Sequence, residues 1–117
     1  MVDRDDKDGG FSVAGKVALV TGGGRGIGKG ISMGLARAGA DLVVAARSAD
    51  EIAGVAAEAG SLGRRTLAVE TDVGDLDSLE RLFEAVEKEF GRLDVLVNCA
   101  GVNRRKPALE VLPEDWD

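Results

Sequence analysis

Four short apolar runs, three of them followed by stretches of helical periodicity, set the order of the chain. The first, Val17 to Val20, breaks into Thr21-Gly22-Gly23-Gly24-Arg25-Gly26-Ile27-Gly28. Beyond it, Ile27, Ile31, Leu35 and Ala38 recur at the spacing of one helix face, and Gly39 stands where such a helix ends. The run Asp41 to Ala46 is apolar on both faces, the pattern of a strand buried in a parallel sheet between helices. Ser48-x-x-Glu51 has the form of a capping box. It opens a helix with Ile52, Val55, Ala56, Ala59 and Leu62 inward, closed by Gly60 and Gly63. Thr66 to Glu70 is a third strand. Asp77 and Glu80 start a third helix, with Leu79, Leu82, Phe83, Val86 and Phe90 inward and Gly91 at its end. Leu93 to Val97 is a fourth strand, and Pro113 suits the first position of a further helix through Glu114, Asp115 and Trp116. Residues 1–10 are charged, lack apolar periodicity and read as a disordered tail.

The order β-α-β-α-β-α-β with helix-length crossovers predicts an α/β fold, a doubly wound parallel sheet of Rossmann type with strands in the order 3-2-1-4. Gly30 and Gly34 weaken the first helix, and close approach to the strands is the expected reason for them. A chain ending at Asp117 would leave the apolar edge Leu93 to Val97 unpaired, which argues for further strands beyond it.

The glycine turn carries the chemistry. Strand, turn and helix together present backbone N–H groups and a positive helix end, which suits a phosphate. Two phosphate-binding patterns fail here. G-x-G-x-x-G is present in no register, and the P-loop spacing Gly23 to Gly28-Lys29 is followed by Gly30 where a Mg²⁺-binding hydroxyl is required. Thr21-Gly22-x-x-x-Gly26-x-Gly28 resembles instead the T-G-x-x-x-G-x-G cofactor turn of the short-chain dehydrogenase/reductase family, with a simple turn as the bland alternative.

Composition narrows the field. A net charge of −6 leaves no broad basic surface for nucleic acid. The single cysteine, Cys99, cannot form an internal disulfide, and no long apolar segment or signal-peptide core is present, so a soluble, cytoplasmic protein without a membrane partner is expected. The chain holds no histidine and no tyrosine, which closes many acid–base schemes.

Three anchors, Thr21-Gly22-x-x-x-Gly26-x-Gly28, Asp72-Val73 after the third strand and Asn98-Cys99-Ala100-Gly101 after the fourth, resemble the N-terminal half of the short-chain dehydrogenase/reductase family. All three fall at C-terminal ends of strands, where open α/β sheets bind ligands. The resemblance makes 11–117 the N-terminal portion of an NAD(P)-binding domain. It implies a nicotinamide dinucleotide with its pyrophosphate on Gly22, Gly23, Gly24, Arg25, Gly26, Ile27 and Gly28. Its adenine would meet Asp72 and Val73, and Asn98, Ala100 and Gly101 would line the adenosine ribose and the approach to the nicotinamide. The bland alternative for Asp72 is a helix or turn cap ahead of Gly74. Where the family has N-N-A-G, the second position here is Cys99, read as a small buried apolar residue.

Relatives that use NAD place an acid at the end of the second strand. Here that place is Ala46, followed by Arg47, and Arg25 adds a second positive charge, so NADP is expected, with NAD as the alternative. The run Arg104-Arg105-Lys106-Pro107 resembles the gluconate 5-dehydrogenases and related sugar-acid dehydrogenases of the family; it suits a substrate carboxylate, or is a solvated loop. The family's catalytic Asn, Ser and Tyr-x-x-x-Lys have no counterpart in these residues. No catalytic or metal-binding residue is assigned, and the remainder is expected past Asp117. The resemblance thus implies an alcohol/ketone oxidoreductase acting on a small molecule such as gluconate, homo-oligomeric when full length. A 3-oxoacyl-thioester reductase and a non-catalytic dinucleotide-binding module are the alternatives.

Overall fold

The computed structural model describes residues 13–99 and the backbone of residues 108–111. Strands β1 (Val17–Thr21), β2 (Asp41–Ala46), β3 (Thr66–Glu70), β4 (Val95–Asn98) and β5 (Ala108–Val111) form one sheet in the order β3-β2-β1-β4-β5. Helices α1 (Gly26–Arg37), α2 (Ala49–Gly60) and α3 (Leu76–Phe90) connect the first four strands, which all run parallel. The expected order 3-2-1-4 is therefore observed. A fifth strand was not expected: β5 pairs antiparallel with β4, Val97 opposite Leu109, so the edge read as bare is covered. The tail at residues 1–10, Ala100, Gly101, the basic run at 104–107 and the helix expected at 113–116 lie outside the described residues.

The two-residue period of the strands explains why the sheet is covered on both faces. Ala18, Val20, Leu42, Val44, Val95 and Val97 point to one side, where they pack with Met33 and Ala36 of α1 and Ile52, Val55 and Ala59 of α2. Their neighbours Val17, Leu19, Val43 and Ala45 point to the other, against Leu82 and Val86 of α3 and Leu93. Emptying one such fully buried site, as in Leu82→Ala, costs about 2–5 kcal/mol.

Helix α1 is rotated from the expected stripe. Ile27 is 61 % exposed and Ala38 is the exposed C-cap, while Gly28, Ser32, Met33 and Ala36 are buried. Small residues at four-residue spacing (Gly28, Ser32, Ala36) let the helix lie close on the sheet, and Ile31 and Leu35 pack at the margin. The close approach is made by Gly28. A Cβ on Gly30 or Gly34 would meet nothing among the described residues, the four parallel strands included, so neither serves the close approach to those strands expected of it. Ser32 Oγ is buried without a hydrogen-bond partner among the described residues. Leu62, expected inward, lies past the end of α2 and is exposed. Helix α3 begins one residue before its expected start, and Gly91 ends it in the left-handed conformation.

At the N-terminal ends of the strands the polar groups satisfy one another. Asp94 Oδ2 accepts from the Val17 N–H at 2.8 Å, Arg92 Nη2 donates to Asp94 Oδ1 at 2.8 Å, and Asp41 Oδ1 accepts from the Arg65 N–H at 2.9 Å. Partial burial pushes the Asp94 carboxyl upward, but the Arg92 and Val17 hydrogen bonds and the charges of Arg92 and Lys16 outweigh it and hold the group below the usual carboxylate range. The bond to Asp94 holds the Arg92 guanidinium above its ordinary value.

Candidate cofactor site

The C-terminal ends of the same strands are open. A cleft of about 750 Å³ lies there, walled by the glycine turn after β1, by Ala46, Arg47, Ser48 and Glu51 after β2, by Thr71, Asp72 and Val73 after β3, and by Cys99 after β4. Strands 1 to 4 thus each send the residues that follow them to one place, as the parallel topology requires.

The turn between β1 and α1 has its shape because it is glycine. Gly22 adopts φ 72°, and its N–H donates to the Ala45 carbonyl at 2.7 Å, tying the turn to β2. A Cβ on Gly28 would overlap the Gly22 carbonyl, so no side chain fits where α1 meets the turn. The N-cap of α1 is Arg25, which forms no side-chain cap, and the first turn holds no acidic residue. The first N–H groups of a helix have no partner within it. Here they stand at a cleft, at the positive end of the helix dipole, with an arginine beside them.

Of the expected site residues, Gly22, Gly24, Arg25, Gly26, Ile27, Gly28, Arg47, Asp72 and Val73 line this cleft. Ile27 is turned to the cleft and solvent, whereas the hydrophobic stripe had assigned it to the core. Gly23 stands behind the turn: a Cβ there would meet Val44 Cγ1 at 2.6 Å and Ser32 Oγ at 2.9 Å, so its part is packing. Asn98 lies beside the cleft rather than in its wall, and Thr21 Oγ1 donates to its Oδ1 at 2.9 Å, joining the ends of β1 and β4. Asp72 takes the turn-cap role, since its Oδ1 accepts from the Gly74 N–H at 2.9 Å and its own N–H donates to Ser78 Oγ. Cys99 is buried, as expected, and burial pushes its thiol up, away from the reactive thiolate.

Sequence reasoning missed Ser48, Glu51 and Thr71 as cleft residues. Ser48 and Glu51 were read only as a cap, although a capping box directly after a parallel strand stands on the ligand side of the sheet. Among the described residues no group of three or more His, Cys, Asp or Glu could hold a metal ion, and no helix is long and apolar enough to cross a membrane.

Comparison with known proteins agrees with this geometry. The family model described as short chain dehydrogenase matches residues 16–117. A hydroxynaphthalene reductase-like protein, Arp2, of Metarhizium brunneum is 47 % identical over 107 residues, which are 91 % of this chain and 40 % of that protein. A 2-dehydro-3-deoxy-D-gluconate 5-dehydrogenase of Pseudoalteromonas atlantica is 47 % identical over 108 residues, 92 % of this chain and 42 % of its own. Among solved structures, L-sorbose reductase of Gluconobacter frateurii, complexed with NADPH and L-sorbose, superposes with a TM-score of 0.75 at 36 % identity, covering 81 % of this chain and 36 % of that one. The chain spans about two fifths of the length of the relatives it matches.

Proposed function

The chain belongs to the short-chain dehydrogenase family, and from that premise we propose that it binds NADP in the cleft, as part of an oxidoreductase that interconverts a secondary alcohol and a ketone. The observation that carries this reading is the bare N-terminus of α1, set against a glycine turn in which Gly28 leaves no room for a side chain, in a cleft walled by four strand ends. An anion held there gains backbone hydrogen bonds and the helix dipole without a competing cap.

Gly24 to Gly28 would hold the pyrophosphate. Asp72 has one carboxylate oxygen on the Gly74 N–H, and the other serves as acceptor for the adenine amino group, with Val73 against the ring. Arg47 and Arg25 favour the 2′-phosphate of NADP, because a guanidinium grips a phosphate through two parallel bonds. Bound there, the dinucleotide supplies hydride chemistry. The residues of this chain bind and orient it; Thr21 keeps Asn98 in place at the end of β4.

A sugar acid such as gluconate is the substrate we favour. The likeness to the dehydrogenase of a deoxygluconate supports it, as does the likeness to a reductase complexed with L-sorbose. Titration of the protein with NADPH and NADH, followed by nicotinamide fluorescence, tests the cofactor: NADPH should bind more tightly, and unchanged NADPH affinity in Arg47→Ala would remove the role given to Arg47. Turnover of gluconate against a 3-oxoacyl thioester, measured on the complete gene product, tests the substrate class. A thioester preference would sink the sugar-acid reading.

A further inference from the structure

One carboxylate in the cleft wall has no task in the reading above. Glu51 lies in the first turn of α2, and its backbone N–H donates to Ser48 Oγ at 3.4 Å. In a complete capping box the glutamate side chain would return to the serine N–H, and no such bond forms among the described residues. The side chain packs over the glycine turn instead: a Cβ built on Gly24 would stand 2.9 Å from Glu51 Cβ and 3.3 Å from its Oε1. Gly24 is glycine because Glu51 occupies the space a side chain would need. Among the described residues no hydrogen bond or ion pair neutralises the Glu51 carboxylate, which shares the cleft with Arg25 and Arg47.

We propose that Glu51 is a specificity-determining residue at the adenosine ribose: its carboxylate accepts from ribose hydroxyls and opposes a 2′-phosphate, and so narrows the preference for NADP that the arginines create. The proposal rests on the dinucleotide reading of the cleft. The sequence alone hides this acid, because it is displaced from the end of β2, where an acid is expected in NAD-binding relatives, to the first turn of the next helix. A 2′-phosphate carries about −1.5 to −2 charges at neutral pH, whereas the ribose hydroxyls it replaces are neutral. A carboxylate in the same cleft therefore repels one cofactor and serves the other, while the arginines act in the opposite sense.

Glu51→Gln keeps the length of the side chain and its packing over Gly24 and removes the charge. Titration of wild type and variant with NADPH and with NADH should show NADPH binding tightened roughly fivefold, with NADH unchanged or weakened. Glu87→Gln is the control. It removes an equal charge from the exposed far half of α3, on the other face of the sheet and about 16 Å along that helix from its first residue, beyond the screening length of physiological salt, and should move neither affinity. An unchanged NADPH/NADH ratio in Glu51→Gln, or an equal change in Glu87→Gln, overturns the proposal and leaves the dinucleotide site standing. Wild type that binds neither nucleotide overturns the site reading, and the proposal with it.

Discussion

Helix α1 and the two helices that follow it begin at the same end of the sheet, yet they treat their first turns in opposite ways. Helix α2 has Ser48 as its N-cap and Asp50 and Glu51 in its first turn. Helix α3 has Asp75, whose side chain accepts from the Asp77 N–H at 3.0 Å, and Asp77 itself in the first turn. Helix α1 has an arginine at the same place and neither a cap nor an acid. A capping side chain contributes about 1 kcal/mol, and a positive charge at a helix N-terminus costs a few tenths more. Two helices satisfy their leading donors from their own sequence. The third forgoes that stability and leaves its leading donors facing the cleft, which is why we place the proposed pyrophosphate site at the glycine turn rather than at the other two helix starts.

The strongest way to break the contrast is to fill the space that keeps α1 open. Gly28→Val puts two methyl groups and a Cβ against the Gly22 carbonyl. The start of α1 must then move away from β1, at a cost of about 3 kcal/mol. Dinucleotide binding should fall at least about a hundredfold, while circular dichroism at low temperature still reports folded protein. Undiminished affinity would mean that the turn does not hold the pyrophosphate.

Arg25→Asp sharpens the same contrast by giving α1 the kind of cap its neighbours have. Stability and binding should then move apart. The helix gains about 1 kcal/mol from the cap, seen as a raised denaturation midpoint, and the new carboxylate weakens NADPH binding at least about tenfold. A variant that is both more stable and equally good at binding would show that the bare end of α1 is incidental.

The opposite end of the sheet supplies the contrast in its closed form. Asp94 ties β4 to the Val17 N–H and holds Arg92, and its carboxyl lies below its ordinary value when folded. A carboxyl whose value is depressed on folding stabilises the fold above its unfolded value, and that contribution is lost as pH falls below about 4. Asp94→Asn should cost about 1–2 kcal/mol at neutral pH and flatten the acid limb of the stability curve. Unfolding by urea between pH 3 and pH 7 measures both; an acid limb as steep as wild type would rule out Asp94 as its source.

Ser32→Ala should act in the other direction. Its hydroxyl is fully buried beneath the turn with no partner among the described residues, so removing it should stabilise the protein by about 1 kcal/mol in thermal unfolding. A loss of stability would show that the hydroxyl is satisfied in solution.

These comparisons also explain what could be read from the sequence. Strands β2 and β3 fall at their expected bounds because each is a short run held between glycines and charged residues, and the glycine turn marks the site because few other residues could adopt it. The facing of α1 was hidden because contact there is made by Gly28, Ser32 and Ala36, whose small size matters more than their hydropathy, while Ile27 drew the stripe the wrong way. Strand β5 was missed because Ala-Leu-Glu-Val is too short to announce itself, and its antiparallel partner is set by tertiary pairing alone. Glu51 was legible as part of a cap and not as part of a cleft, since its place near Gly24 depends on how α2 meets the turn.

The smallest effect tests whether the caps are as different in strength as in kind. Ser48 Oγ accepts from the Glu51 N–H at 3.4 Å, near the limit of a hydrogen bond, whereas Asp75 accepts at 3.0 Å with a charged oxygen. Ser48→Ala should therefore cost only about 0.5 kcal/mol, and Asp75→Ala about 1–2 kcal/mol. If urea unfolding gives equal losses, distance and charge do not rank these caps, and α2 depends on Ser48 more than its geometry implies. If the order holds, the turn after β2 is the weaker of the two capped starts, which fits a loop whose serine and glutamate also face the cleft.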